Sequence, residues 1–176
     1  VVTRPLADAQ AQTFISSIGG VAARLSIFTK SDGSIVMTNI HNSANSGNIS
    51  FTHSCATTST LYIAGIAGVS VADNYSVKIS NSTNNGKISA DGAISGLYLA
   101  GIISYAQCKI NNEDLMAKFW DNNNYGEIEL KSTATIAGVT NIGGITGRTN
   151  SCAIANSHNY GTINLLEGSL VIGDST

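Results

Sequence analysis

Charge is what this sequence has least of. Only 11% of its 176 residues are Asp, Glu, Lys or Arg, against about 25% in an average soluble domain. The polar surface must then come from Asn, Ser, Thr and Gly, a composition that favours turns and side-chain ladders. Nine basic residues stand against eleven acidic ones with no basic cluster, so the electrostatic footprint of a nucleic-acid or anionic-membrane partner is missing. No apolar run approaches the roughly 20 residues that span a bilayer. No charged start followed by an apolar segment marks a signal peptide. The three cysteines, Cys55, Cys108 and Cys152, are too few and too widely spaced for a disulfide framework or a close-set zinc site. They read as small buried residues, and no metal or cofactor is expected. An initiator Met is lacking too: the chain begins Val1-Val2-Thr3 and stops inside a repeat, as expected of a processed chain or a piece of a longer protein.

What is present is repetition. Ile79-Ser80-Asn81-Ser82-Thr83-Asn84-Asn85-Gly86-Lys87-Ile88 returns as Ile40 to Ile49, Phe119 to Ile128 and Ile154 to Ile163, with glycines at Gly47, Gly86, Gly126 and Gly161, so the spacings are 39, 40 and 35. Fixed periods of this size mark solenoids, propellers or arrays. A second motif alternates with the first: Ile18-Gly19-Gly20-Val21, Ile63-Ala64-Gly65-Ile66, Leu99-Ala100-Gly101-Ile102 and Ile142-Gly143-Gly144-Ile145. Small residues beside apolar ones suit a strand at a point of close approach between coils. After each Asn-Gly unit, Ile49 and Phe51, Ile88 and Ala90, Ile128 and Leu130, and Ile163 and Leu165 alternate with polar residues, the pattern of a strand buried on one face.

These observations predict an all-β chain, a single domain over residues 1–176 folded as a right-handed parallel β-helix (β-solenoid) of about four coils, with three short strands per coil. Residues 1–16 are expected to form an N-terminal cap or first edge strand, and the repeats to run over 17–173. Equivalent residues then stack in columns at the strand spacing of about 4.8 Å. Ile40, Ile79, Phe119 and Ile154, and Ile49, Ile88, Ile128 and Ile163, become two inward apolar columns. Asn45, Asn84, Asn124 and Asn159, two residues before each glycine, and Asn42, Asn81, Asp121 and Asn156, five before, become candidate structural ladders in which each side chain hydrogen-bonds the next. The third period inserts Lys109 to Leu115, which should form a loop. A propeller of four blades is the rival architecture, but blades give no reason for in-register Asn columns. An ice-binding solenoid would want a flat, regular Thr array that the outward columns lack.

Gly143-Gly144-Ile145-Thr146-Gly147, with Ile154-Ala155-Asn156-Ser157-His158-Asn159-Tyr160-Gly161 after it, resembles the GLUG-type and related Asn-Gly-rich repeats of bacterial surface proteins. The resemblance covers about residues 17–173, although the periods here are longer and the second motif decays to Ala-Gly-Ile-Ile at 100–103. It implies a β-helix in a secreted or surface-anchored, adhesin-like protein that serves adhesion, display or glycan or matrix binding, located outside the cell or on its surface. No catalytic residue carries over.

The alternative is a carbohydrate-active enzyme, a polysaccharide lyase or glycosidase, since β-helices also host these. Such chemistry needs clustered carboxylates. Glu113, Asp114 and Asp121 are the one close group, and His41, His53 and His158 occupy non-equivalent repeat positions without a Ser-His-Asp set or metal-ligand spacing. The expected partner is therefore a glycan or a host or matrix surface protein, with no nucleic acid and no membrane span. Its candidate ligand-binding residues are Trp120, six before a motif glycine, and Tyr125 and Tyr160, one before, which alternation turns outward. Cys108 and Cys152, seven and eight residues after Gly101 and Gly144, stand at near-equivalent positions, where buried thiols are expected and a bridge is geometrically open. Asn48, Asn74 and Asn81 start glycosylation-acceptor triplets of a kind that chance supplies in so Asn- and Ser-rich a chain.

Overall fold

A computed structural model describes residues 16–25, 28–29, 31–32, 35–36, 38–53, 60–73, 77–109, 117–131 and 134–165. The expected cap, most of the insert and Cys55 lie outside the described residues. The chain is all-β, a parallel β-helix of four coils, with 21 parallel-paired strands among the described residues in five sheets that run the length of the stack. We number these sheets as faces in the order the chain meets them. Face 1 holds Ser16–Gly19, Thr60–Ala64, Gly96–Ala100 and Thr140–Gly143, and face 2 holds Ala22–Leu25, Ala67–Asp73, Ile103–Lys109 and Thr146–Asn150. Face 3 is Asn39–His41, Lys78–Ser80, Ala117–Trp120 and Cys152–Ala155, and face 4 is the two-residue strands Ala44–Asn45, Thr83–Asn84, Asn123–Asn124 and His158–Asn159. Face 5 stacks Ile49–His53, Ile88–Ile94, Ile128–Leu130 and Ile163–Leu165, and Thr135–Ile136 pairs with the far end of Ile88–Ile94. Phe28–Thr29 and Ile35–Val36 form a small antiparallel hairpin off the stack.

Each coil thus has five strands where the sequence pattern marks three. The glycine motif is not one strand but the corner between faces 1 and 2, and the Asn-Gly unit folds into two short strands, faces 3 and 4, around a bend. That bend is made by Asn42, Asn81, Asp121 and Asn156, whose φ angles are 52°, 48°, 57° and 46°. Asn and Asp tolerate the left-handed region better than other side chains. This column therefore sets backbone direction. It is not a buried amide ladder: Asn42, Asn81 and Asn156 are exposed and Asp121 is half-buried.

The other asparagine column is a ladder. Asn45 Nδ2 donates to Asn84 Oδ1 at 2.8 Å, Asn84 Nδ2 to Asn124 Oδ1 at 2.7 Å, and Asn124 Nδ2 to Asn159 Oδ1 at 2.7 Å. The same amides donate to the carbonyls of Gly47, Gly86, Gly126 and Gly161 at 2.8–2.9 Å. Both amide hydrogens of the first three asparagines are used, which is what a fully buried amide needs. A second ladder, absent from the sequence reading, stands four residues before each glycine. Ser43 N–H donates to Ser82 Oγ, Ser82 N–H to Asn122 Oδ1 and Asn122 N–H to Ser157 Oγ, at 3.4, 3.1 and 3.2 Å. Ser, Ser, Asn and Ser share only a side-chain oxygen, so residue identity hides the column.

The two repeated motifs meet across the interior. A Cβ built on Gly65, Gly101 or Gly144 would lie 2.3–2.4 Å from Cγ of Asn84, Asn124 or Asn159, well inside any allowed contact. Glycine is required there because the ladder asparagine fills the space of a side chain. This seam separates two apolar clusters. One, between faces 2 and 3, contains Ile66, Ile79, Ile102, Ile103 and Phe119. The other, between faces 5 and 1, contains Leu61, Ile63, Ile88, Leu97, Leu99 and Ile128. Both predicted apolar columns are in register. Their fourth members differ in burial, however: Ile154 is 45% and Ile163 42% exposed, because no coil stacks beyond them among the described residues.

The cysteines also depart from expectation. Gln107 pairs with Asn150, which leaves Cys108 opposite Ser151, whereas Cys152 pairs with Ala117 on face 3. A one-residue offset at the sharp corner of Ser151, φ 55°, puts the two in different columns. Cys152 is a half-buried thiol packed against the cluster of faces 2 and 3, with Sγ 3.3 Å from the Asn150 carbonyl oxygen. The Cys108 side chain is outside the described residues.

Candidate functional site

The seam determines where the outward aromatics stand. Asn124 and Asn159 reach inward to the glycine column, so Tyr125 and Tyr160, each the next residue, leave the coil on the opposite side. Their backbone N–H groups are fixed to the coil before by bonds to the carbonyls of Asn84 and Asn124 at 2.8 and 2.7 Å. With both peptide units pinned one strand spacing apart, the rings stack: centroids 4.9 Å apart, planes within 10°. They are 52% and 61% exposed. His158, two residues back on face 4, adds a third ring tilted 34° at 5.9 Å from Tyr160. In the sequence His158 stands at a repeat position not equivalent to those of His41 and His53, and its column in the structure, Ala44, Thr83 and Asn123, holds no other histidine.

Trp120 is placed differently. It sits on face 3 in register with Ser80 and Ala155 and is half-buried, not fully outward. In the same column His41 Nδ1 and Ser80 Oγ are 2.8 Å apart. The structure therefore brings Tyr125 and Tyr160 together, with His158 beside them, and leaves Trp120 on a neighbouring face.

Two of the described carboxylates, Glu127 and Glu129, hold coils together. Lys87 Nζ lies 3.1 Å from Glu127 Oε2 and 3.0 Å from Glu129 Oε1 in the next coil. Lys87, and then Asn164, hold the Glu127 carboxyl below its usual value, while Glu129 first and Glu127 second raise the Lys87 ammonium above its own. Asp121 belongs to the bend column, and Glu113 and Asp114 lie outside the described residues. Among the described residues no group of three or more His, Cys, Asp or Glu side chains could hold a metal ion, and no helix is long and apolar enough to cross a membrane.

Compared with protein-family models, with curated proteins and with solved structures, the chain finds no match. The surface itself is then the ground for a functional reading.

Proposed function

We propose that the chain is a non-enzymatic repeat module of a secreted or cell-surface protein, adhesin-like, which binds glycans through its outward aromatic strip. One observation carries the reading: two tyrosines stacked in parallel planes, half-exposed and held by backbone bonds to a stacked scaffold. Flat apolar faces with polar edges match the alternating C–H and hydroxyl faces of sugar rings. Because the rings are already stacked and their backbones fixed, little conformational freedom is lost on binding. The resemblance of the repeats to GLUG-type surface proteins supports the same reading, as does the use of Lys87, Glu127 and Glu129 in cross-coil pairing. The test is a glycan and matrix-protein array probed with the chain and with its Tyr125→Ala/Tyr160→Ala variant. Both side chains are exposed, so the variant should keep its fold and lose glycan binding. Unchanged glycan binding by the folded variant would refute the site. Binding to a matrix protein alone would refute the glycan assignment.

A further inference from the structure

A second aromatic group stands on the other side of the coil, outside the corner of faces 1 and 2, and the proposed function makes no use of it. On face 1, Leu97 and Leu99 point into the core and Tyr98 between them points out; its column reads Ser17, Tyr62, Tyr98 and Asn141. On face 2 the outward column reads Arg24, Val69, Tyr105 and Arg148. Because the glycine corner bends the two faces toward each other, the columns converge. Tyr62 and Tyr98 stack at 5.1 Å with planes 7° apart, and Tyr105 leans on both at 5.6 and 5.4 Å, tilted 44° and 51°. The result is a closely packed patch of three phenols over a Val69 that is 4% exposed, with Tyr62 and Tyr105 half-buried at the surface and Tyr98, 8% exposed, covered between them.

The patch is flanked by cations. Arg24 and Arg148 are both exposed and stand three strand spacings apart, about 14 Å. Neither column contains an acid. Arg148 Nη1 donates to the Tyr98 hydroxyl at 3.4 Å, a long bond that leaves most of the guanidinium fork unused. Beside it, the Asn141 Nδ2 is enclosed and has no hydrogen-bond partner, although such a donor ordinarily finds an acceptor. Tyr105 is oriented by its own bond, donating to Gln107 Oε1 at 2.5 Å. Burial, then the neighbouring phenols, push the Tyr62 hydroxyl above its usual value, so this phenol remains a neutral hydrogen-bonding group.

We infer that this patch binds a linear acidic oligosaccharide, with sugar rings on the half-buried Tyr62 and Tyr105, Tyr98 packed beneath as their support, and a carboxylate on Arg148. Aromatic faces take the rings, and a planar carboxylate fits the planar fork in two parallel bonds. Two widely separated cations suit a chain with sparse carboxylates better than one with dense sulfates.

Titration calorimetry of the full chain against an oligogalacturonate, a heparin fragment of similar length and neutral dextran tests this. The expected order is oligogalacturonate first and dextran undetected, with affinity falling as salt rises. Arg148→Gln should weaken oligogalacturonate binding about tenfold or more, the worth of a charge-assisted bond. Tyr105→Leu should weaken it as well, whereas Tyr125→Ala/Tyr160→Ala should leave it unchanged, which separates this patch from the aromatic strip. Circular dichroism checks folding, and because Arg148 is exposed its variant stays informative even if Tyr105→Leu unfolds. No binding by the folded wild type, equal binding of dextran, preference for heparin, or indifference to Arg148→Gln would each overturn the proposal.

Discussion

The second and fourth coils carry the same motif and live in different environments. Ile79, Asn84 and Ile88 of the second are fully buried, while their register partners Ile154, Asn159 and Ile163 in the fourth are exposed. Backbone geometry does not separate them: Asn81 and Asn156 bend the chain at φ 48° and 46°, and Asn84 and Asn159 each hold the carbonyl of their motif glycine at 2.8–2.9 Å. The difference is a neighbour. The repeat specifies which way each side chain points, and only stacking on both sides turns direction into burial, which is why solenoid stability accumulates between units more than within them.

Paired substitutions should expose that difference. Ile88→Ala opens a cavity in a closed core and should cost about 2–5 kcal/mol, whereas Ile163→Ala at the open coil should cost about 1 kcal/mol or less; urea midpoints of the two variants decide. Asn84→Ala removes the acceptor for Asn45 and the donor to Asn124 and Gly86. At about 1–3 kcal/mol for each buried group left unpaired, its loss should clearly exceed that of Asn159→Ala, whose open side faces water.

Glycines give a finer contrast, this time with the first coil. A Cβ on Gly86 would sit 2.0 Å from the Gly47 carbonyl oxygen, while one on Gly47 meets nothing nearer than Asn45 Oδ1 at 3.7 Å. Gly86→Ala should therefore destabilise by about 1–3 kcal/mol and Gly47→Ala leave the melting temperature nearly unchanged. The smallest effect is electrostatic. Glu127 titrates below its ordinary value, so its contribution is present above that value and lost as pH falls through the folded one. Lys87 titrates above its own, so its contribution is complete at neutral pH and lost only as strongly basic pH is reached. Lys87→Met should lower the melting temperature slightly at pH 7 and low salt, and not at pH 3 or in 1 M salt.

Much of this was legible from the sequence where one residue type does one job. Ile at fixed offsets gave both core columns, and Asn two before each glycine gave the ladder. Asn five before looked the same on paper, yet it serves the left-handed bend; an amide and a positive φ select the same residue for different reasons. Faces 3 and 4 escaped notice as separate strands because a two-residue strand is too short to show alternation. The tyrosine patch was hidden for another reason. Tyr62 and Tyr98 each precede an apolar motif residue, Ile63 and Leu99, but Tyr105 comes from the strand beyond the glycine corner, and only the bend between faces brings the three together.

Amide hydrogen exchange tests the contrast between closed and open coils most directly, because it compares one hydrogen bond in two places. The Tyr125 N–H donates to Asn84 O at 2.8 Å and the Tyr160 N–H to Asn124 O at 2.7 Å. If stacking on both sides is what stabilises a coil, Tyr125 should exchange only through near-global opening and Tyr160 at least about tenfold faster through local fraying of the last described coil. Equal protection at the two amides, or greater protection at Tyr160, would contradict the account.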